Sequence, residues 1–255
     1  MIAVPYHLGR RAVEVGRGPL VILENLSSPC FMLERTTRER TTEIASQLEA
    51  VAEVNSILTK AVAKESRPAI VLAGNCSSCL GTLAALNEPG IVWFDAHGDF
   101  NTPETSISGA LEGMSLAIAT GHCHHGLMPK PVPEENVVLA ATRSLDPLEK
   151  IRLQGSKITR ATLAEVPRAV ELLASRVQNI YLHLDLDVLD PSISPGVNFS
   201  EPGGISPAQL FEAVGHVLET RKLAAVTIAN FNPDRDRDHR TRDIALQLIS
   251  LLTKY

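Results

Sequence analysis

The chain has 255 residues, of which 44% are hydrophobic and 21% charged, so it can bury the core of one large domain that spans residues 1–255. Its formal net charge of -5 and the lack of any Lys/Arg-rich block argue against nucleic acid as a partner. No apolar run approaches the roughly 20 residues of a bilayer span, and no signal-peptide pattern precedes MIAVPYHLG, which predicts a cytoplasmic protein without membrane association. Four cysteines are too few for a disulfide framework.

Short apolar runs alternate with helical patterns from one end of the chain to the other. Eight runs rich in Val, Ile and Leu lack polar alternation, as strands covered on both faces do. These runs span residues 2–5, 30–33, 69–73, 91–95, 136–141, 157–159, 180–185 and 224–229. Apolar residues at helical spacing predict helices near 40–64, 77–87, 108–120, 162–176, 206–221 and 237–253. The alternation predicts an α/β domain with a mainly parallel sheet and helices on both of its faces.

Acidic and imidazole side chains follow two of the predicted strands. Asp95 ends the 91–95 run and His97 and Asp99 follow it, and an extended chain projects all three to one side because side chains alternate with period two. Asp185 and Asp187 share a face in the same way after the 180–185 run. Ligands of open α/β sheets bind beyond the carboxyl ends of the strands, so we expect both clusters in one site.

Turn-forming aspartates would explain either cluster alone, but two clusters that each follow a buried strand favour a metal site. Four carboxylates cannot share a partly dry site without cations, because each uncompensated charge costs on the order of several kcal/mol. Oxygen ligands with one imidazole suit Mn²⁺ or Mg²⁺. About six ligands are too many for one catalytic ion that keeps open positions, so we infer two ions that share a bridging water, and this water is the nucleophile.

Four motifs, DAHGDFNTP, SGALEGM, HLDLDVLDPS and GGIS, resemble those of the arginase/agmatinase (ureohydrolase) family in order and spacing. The resemblance extends from MIAVPYHLG to FNP at 231–233 and so covers nearly the whole chain. It implies a three-layer αβα sandwich around a mainly parallel eight-stranded sheet. It also implies two Mn²⁺ ions and hydrolysis of a guanidine or related carbon–nitrogen group in a small, amino-acid-like substrate.

The metal ligands implied by this resemblance include one unusual residue. Asp95 and Asp185 correspond to carboxylates that bridge both ions, His97 and Asp187 to ligands of one ion, and Asp99 to a ligand of the other. The remaining family ligand is a histidine in a GGNH or GGDH turn, and Cys76 takes its place in AGNC. A thiolate beside a dication is a competent ligand, and it favours softer ions such as Zn or Fe.

Three residues correspond to contacts with the amino-acid part of a substrate. Asn101 and Ser108 match positions where arginases hold an α-carboxylate, and Asp146 matches an aspartate that meets the α-amino group. An aspartate that begins a helix at Pro147 would explain the last match equally well.

Two further positions differ from arginases near the reacting group. Glu112 stands where arginases have a proton-shuttling histidine, and we expect Asp99 and Glu112 to be the catalytic residues. A carboxylate in the first turn of a helix is also favourable in itself, which leaves a structural role for Glu112 open. Asn230, a predicted substrate contact, replaces a glutamate that anchors a guanidinium, and Phe199 makes the neighbouring loop more apolar.

These departures suggest an amino-acid substrate whose terminal group is a poorer cation than guanidinium. The chain resembles the cysteine-ligated branch of the family that hydrolyses Nω-hydroxy-L-arginine to hydroxyurea and L-ornithine, as in the biosynthesis of the antibiotic cycloserine. Arginase, agmatinase and other guanidino or formimino activities remain alternatives, as does a catalytically silent metal-binding relative. The chain ends soon after its last predicted helix, which makes a monomer plausible.

Several other residues allow more than one interpretation. Cys76 and Cys79 could form a thiol redox pair, although packing is the better explanation for Cys79. GHCHHG at 121–126 lacks a second ligand pair at zinc-finger spacing, which favours a solvated loop. His183 is consistent with a partner of a metal ligand or with a core histidine. His7 gives no functional signal.

Overall fold

The computed structural model of the chain describes residues 1–26, 29–35, 44–66 and 68–254. Within these ranges the strands are β1 (Ile2–Val4), β2 (Tyr6–His7), β3 (Arg10–Arg11), β4 (Phe31–Met32), β5 (Ala69–Ala73), β6 (Pro89–Phe94), β7 (Val137–Ala140), β8 (Thr159–Ala161), β9 (Asn179–Asp185) and β10 (Leu223–Ala229). Eight of them form one sheet in the order β4-β1-β5-β10-β9-β6-β7-β8. All neighbours in this sheet are parallel, whereas β2 and β3 form a separate antiparallel hairpin.

Helices cover both faces of the sheet. In the described residues they are α1 (Gly18–Glu24), α2 (Ile44–Val62), α3 (Cys79–Ala84), α4 (Ser115–Ala119), α5 (Pro147–Gly155), α6 (Val166–Arg176), α7 (Pro207–Glu219) and α8 (Arg240–Leu252). Apolar residues of α2, α3, α4 and α5 pack in one core cluster, and those of α1, α6, α7 and α8 pack in another on the opposite face. This three-layer αβα arrangement around an eight-stranded parallel sheet confirms the predicted fold. No helix in the described part of the chain is long and apolar enough to cross a membrane.

The strand order determines where the polar motifs meet. β5, β10, β9 and β6 are consecutive neighbours at the centre of the sheet. Because these strands are parallel, their carboxyl ends lie along one edge, where Cys76, Asn230, Asp185 and Asp95 follow or end them. Residues that are far apart in sequence therefore converge beyond the same edge, as the sequence predicted from the ends of the apolar runs.

Some element boundaries differ from the prediction. β8 begins two residues later than expected, because the backbone N–H of Lys157 donates to Glu134 Oε2 (2.9 Å) and that of Ile158 to Ser156 Oγ (3.2 Å) instead of to a strand. The predicted helix over 108–120 is helical only from residue 112 onward. The Ser108 hydroxyl accepts from a nearby backbone N–H and so competes with helix formation. Residues 40–43 of the predicted helix near 40–64 lie outside the described residues, and α1 and the β2–β3 hairpin were not predicted.

The turn before Cys76 has no room for a side chain at Gly74. A Cβ placed there would meet the Tyr6 backbone oxygen at 2.1 Å.

We expect Gly74→Ala to lower the free energy of unfolding by about 1–3 kcal/mol, because the backbone around Tyr6 must shift. Urea unfolding measures this change. Gly215→Ala, within α7 where a Cβ meets nothing within 4 Å, serves as the control and should stabilise by up to about 1 kcal/mol. Equal stability of Gly74→Ala and the wild type would contradict the packing argument.

Candidate metal centre

A cavity of about 430 Å³ lies beyond the carboxyl ends of the central strands. All eleven residues that the sequence singled out as metal-binding, catalytic or substrate-binding line it: Cys76, Asp95, His97, Asp99, Asn101, Ser108, Glu112, Asp146, Asp185, Asp187 and Asn230. The structure therefore brings together side chains from segments spread over more than half of the chain. Their placement around one cavity is a finding about position, while their individual roles stay predictions.

Backbone hydrogen bonds orient the three most buried carboxylates. Asp95 Oδ1 accepts from the N–H of His97 (2.7 Å), Asp187 Oδ1 from that of Ala96 (3.0 Å), and Asp185 Oδ1 from that of Asp187 (2.8 Å). One oxygen of each carboxylate is thus fixed by the strand-end backbone. The second oxygen of each is left to side chains or to a ligand.

The negative charge of these carboxylates is poorly compensated within the protein. Burial, reinforced by neighbouring carboxylates, raises the pKa of Asp99 and Asp185 well above the usual range and that of Asp187 to about 6. The one cationic group among them is His97. Burial lowers its pKa, but hydrogen bonds with Asp187 (3.0 Å from Nδ1) and Asp95 outweigh this and raise it to about 12. The site therefore fits additional positive charge.

Two groups of side chains in the described residues have donor atoms close enough to hold a metal ion. The first comprises Asp95, His97 and Asp187, and the second comprises Cys76, Asp95, His183 and Asp185. Within each group the donor atoms lie within 4.8 Å of one another. Asp95 belongs to both groups, whereas Asp185, the other carboxylate predicted to bridge two ions, belongs to the second group alone. His183 was not in the predicted ligand set.

Asp99 lies near these groups but belongs to neither. Its side chain lines the cavity, and its Oδ2 is buried without a hydrogen-bond partner among the described residues. Its backbone has a φ of 49°, in the left-handed region that aspartate tolerates better than most residues. A buried carboxylate oxygen without a partner is costly, which is consistent with a cation beside Asp99.

The Cys76 thiol is buried against the carboxylates. Its Sγ lies 3.0 Å from Asp185 Oδ2 and 4.0 Å from Asp95 Oδ2. Burial, followed by the charges of Asp185, Asp99 and Asp95, raises its pKa well above the usual range, so without a cation the thiol keeps its proton and donates a hydrogen bond to Asp185 Oδ2. Cys79 is fully buried at the start of α3, and all four cysteines are free, so the thiols of Cys76 and Cys79 are not joined in a disulfide.

The predicted substrate residues form a connected wall of the cavity. Asn101 Nδ2 donates to Asp146 Oδ2 at 3.0 Å, and Ser108 lines the cavity near its exposed rim. Asp146 is also the residue that precedes α5, and its N–H donates to Glu149 Oε2 at 3.1 Å. The helix-start interpretation of Asp146 is thus correct, and it is compatible with the substrate interpretation, because the same carboxylate faces the cavity.

Glu112 is held by two polar neighbours at the cavity wall. Its Oε2 accepts from Asn75 Nδ2 at 2.9 Å and lies 3.2 Å from His7 Nε2. His7 Nδ1 in turn lies 3.2 Å from Glu14 Oε2, and the Glu14 side chain is 49% exposed. Sequence analysis assigned no function to His7, whose buried ring lies between Glu112 and Glu14 and whose Nδ1 makes no hydrogen bond to a described residue.

The Asn230 amide is already engaged by the carboxylates. Its Nδ2 donates to Asp185 Oδ1 (2.8 Å), Asp187 Oδ2 (3.2 Å) and the backbone oxygen of Asn198 (3.2 Å), and its Oδ1 accepts from the N–H of Asn198 (3.0 Å). The residue has a φ of 70°, which asparagine tolerates well. Asn230 therefore presents a neutral, hydrogen-bonded surface to the cavity instead of an anion.

Arg143 supports the site and was not found from the sequence. Its guanidinium donates to five backbone oxygens, those of Asp187, Val188, Leu189, Glu201 and Pro202. The ATRSLDP motif contains this arginine, but nothing in the motif shows that its partners are carbonyls of remote loops. The His-rich segment at 121–126 belongs to neither metal-binding group of the described residues, and its Cys123 is buried.

An αβα fold whose central strands end on buried carboxylates, an imidazole and a thiol around a deep cavity is the arrangement of a metal-dependent hydrolase. Residues 10–253 match the Arginase family. The chain is 35% identical to an arginase of Bacillus caldovelox over 99% of this chain and 96% of that protein, and 32% identical to one of Bacillus subtilis over 100% and 97%. The structure of the Bacillus caldovelox arginase has a TM-score of 0.85 at 33% identity, covering 98% of this chain and 96% of that one. A structure of Entamoeba histolytica arginase in complex with L-ornithine has a TM-score of 0.86 at 29% identity, covering 100% and 97%.

The chain belongs to the arginase family. Its relatives are metal-dependent hydrolases that act on carbon–nitrogen bonds in linear amidines, and this chain is an enzyme of that class. The resemblance found in the motifs is thereby confirmed at the level of the family.

Metal binding at this site should release protons. His97 and Cys76 both carry protons that a bound ion displaces, so the apparent affinity for a divalent metal should rise with pH. We expect Cys76→Ala to release about one proton fewer per protein molecule than the wild type at pH 8. Calorimetric titration in buffers of different ionisation enthalpy measures this number, with Cys30→Ala as the control. An unchanged proton count in Cys76→Ala would exclude Cys76 from metal binding.

Proposed function

We propose that this enzyme hydrolyses the guanidine carbon–nitrogen bond of Nω-hydroxy-L-arginine. Water adds to the guanidine carbon, the bond to the side-chain nitrogen breaks, and the products are hydroxyurea and L-ornithine. The observation that carries the proposal is Asn230. Where a guanidinium would require a carboxylate, the cavity has an amide already hydrogen-bonded to Asp185 and Asp187.

The lower basicity of the substrate explains why a neutral residue suffices at position 230. A hydroxyl on the terminal nitrogen withdraws electrons, so a hydroxyguanidine is a weaker base than a guanidine and is less dependent on an anionic partner. A carboxylate at position 230 would form an ion pair with a guanidinium, and the neutral Asn230 cannot. The cavity thus lacks an interaction that would favour the more basic substrate.

The amino-acid end of the substrate has complementary groups on the opposite part of the wall. Asn101 and Ser108 offer an amide and a hydroxyl to an α-carboxylate, and Asp146 offers a carboxylate to an α-amino group. The hydrogen bond between Asn101 and Asp146 fixes their separation. L-ornithine, the ligand named for the Entamoeba histolytica arginase structure, has both of these groups.

Two manganese ions, held by Cys76, Asp95, His97, Asp99, Asp185 and Asp187, would supply a water molecule with a pKa lowered toward neutrality. The protein itself positions the substrate and handles protons. Glu112 lines the cavity, where its Oε2 accepts a hydrogen bond from Asn75 Nδ2 and lies 3.2 Å from His7 Nε2. Glu112 can therefore donate a proton to the nitrogen of the departing ornithine side chain.

Arginine is the second candidate substrate, because the relatives at 32–35% identity carry the name arginase. The cytoplasmic location and the monomeric state remain predictions from the sequence.

A comparison of two substrates tests the proposal. With manganese-loaded protein, we expect kcat/KM for ornithine release to be at least about tenfold higher for Nω-hydroxy-L-arginine than for L-arginine, a difference of about 1.4 kcal/mol. Asn230→Glu should shift this ratio toward arginine by about tenfold, because it introduces a carboxylate. Asn230→Gln has the same size without the charge and should leave the ratio within about threefold of the wild type. Equal rates with both substrates in the wild type would refute the hydroxyarginine assignment.

Replacement of Glu112 tests its catalytic role. Glu112→Gln keeps an oxygen for the Asn75 hydrogen bond, so the fold should persist, but its amide cannot act as an acid or a base. We expect kcat to fall by about 100-fold with little change in KM. Glu14→Gln, at the exposed end of the same series of contacts, should change kcat by less than about tenfold. Retention of wild-type kcat by Glu112→Gln would leave Glu112 with a structural role only.

A further inference from the structure

The metal-binding group around Cys76 contains a histidine that the family pattern does not place there. Donor atoms of Cys76, Asp95, His183 and Asp185 lie within 4.8 Å of one another, and all four residues are buried. His183 is two residues before Asp185 on β9, so both side chains point to the same face of the sheet. Cys76 follows β5, which is separated from β9 by β10 alone.

One nitrogen of the His183 ring has no partner. Nδ1 lies 2.9 Å from the Tyr181 hydroxyl, whereas Nε2 is buried and makes no hydrogen bond to any described residue. A core histidine with both nitrogens satisfied, which was one interpretation of the sequence, does not agree with this geometry. Ligand histidines typically donate their second ring N–H to a fixed oxygen, and Tyr181 provides such an oxygen here.

The position of the ring is fixed by an aromatic neighbour. Trp93 pairs with His183 across β6 and β9, and the two rings stack with centroids 3.6 Å apart and planes inclined by 13°. Trp93 Nε1 also donates to Asp95 Oδ2 at 3.2 Å. The same indole therefore contacts two members of the metal-binding group and holds the imidazole beside the carboxylates.

We propose that His183 binds the ion beside Cys76 through Nε2. The inference rests on the proposed two-metal hydrolase and specifies the ligands of the ion beside Cys76. The imidazole that is missing at position 76 is supplied from position 183 on β9, two strands away from β5, and the donors of this group are one sulfur, one nitrogen and two carboxylates. Such a set suits Zn²⁺ or Co²⁺ better than Mn²⁺. The group of Asp95, His97 and Asp187 has only oxygen and nitrogen donors and suits Mn²⁺.

Cobalt titration of metal-free protein tests this assignment without an activity assay. Charge transfer from a thiolate to Co²⁺ reports the ion beside Cys76. Fluorescence of Trp93, the single tryptophan of the chain, gives a second readout. We expect His183→Ala to weaken the binding event that carries the charge-transfer band by more than about 100-fold, and added imidazole to restore the band. His216→Ala on α7 is the matched control and should titrate as the wild type does.

X-ray absorption of a zinc-loaded His97→Ala variant provides a measurement that does not depend on the folding of His183→Ala. Of the two histidines in the metal-binding groups, this variant retains His183 alone. We expect the absorption spectrum of the bound zinc to show scattering from both a sulfur atom and an imidazole ring. Sulfur scattering without imidazole would overturn the proposal, as would a His183→Ala variant that binds cobalt within about threefold of the wild type.

The outcomes separate this inference from the proposed function. If the wild-type protein binds two cobalt ions and His183→Ala binds them equally well, His183 is not a ligand. The proposed dinuclear hydrolase is then unaffected. If the wild-type protein binds no cobalt, both proposals are wrong.

Discussion

The structure of the site is governed by the electrostatic repulsion among buried carboxylates at the ends of the central strands. Asp95, Asp185 and Asp187 are each at most 2% exposed, and Asp99 is 6% exposed. Desolvation and mutual repulsion are both unfavourable, and within the described part of the chain His97 is the cation that contacts Asp95 and Asp187. Backbone hydrogen bonds hold the carboxylates in place despite this cost. The close approach of these carboxylates is therefore destabilising in the absence of cations. A bound divalent ion would reduce this free-energy cost.

Much of this arrangement could be predicted from the sequence. Uninterrupted Val/Ile/Leu runs identify buried parallel strands, and the polar residues that follow them identify the edge at which the ligands meet. Asp95, His97, Asp185 and Asp187 follow directly from that logic. Their order and spacing also identified the family, because the motifs combine short strands with fixed turns and so tolerate little variation in length.

The features that sequence reasoning missed depend on contacts between remote segments. Arg143 binds carbonyl oxygens of two loops, and such partners have no side-chain signature. His7 contacts Glu112 from the β2–β3 hairpin, which was not predicted. His183 was ambiguous, since a histidine in an apolar strand gives the same pattern whether or not both nitrogens are satisfied, and only the three-dimensional position of the Tyr181 hydroxyl and Cys76 separates the two cases. The late start of β8 has a similar origin in side chains that bind backbone N–H groups.

The Arg143 guanidinium joins the rim of the cavity to the turn that contains Asp187 through hydrogen bonds. The carbonyls that it binds lie at Asp187–Leu189 on one side and at Glu201–Pro202 on the other, and the latter pair follows Phe199 and Ser200, which line the cavity. A single guanidinium therefore links the segment at Glu201–Pro202 to the backbone of Asp187–Leu189. Movement of the segment at Glu201–Pro202 therefore requires Arg143 either to release its hydrogen bonds on one side or to carry the backbone of Asp187 with it.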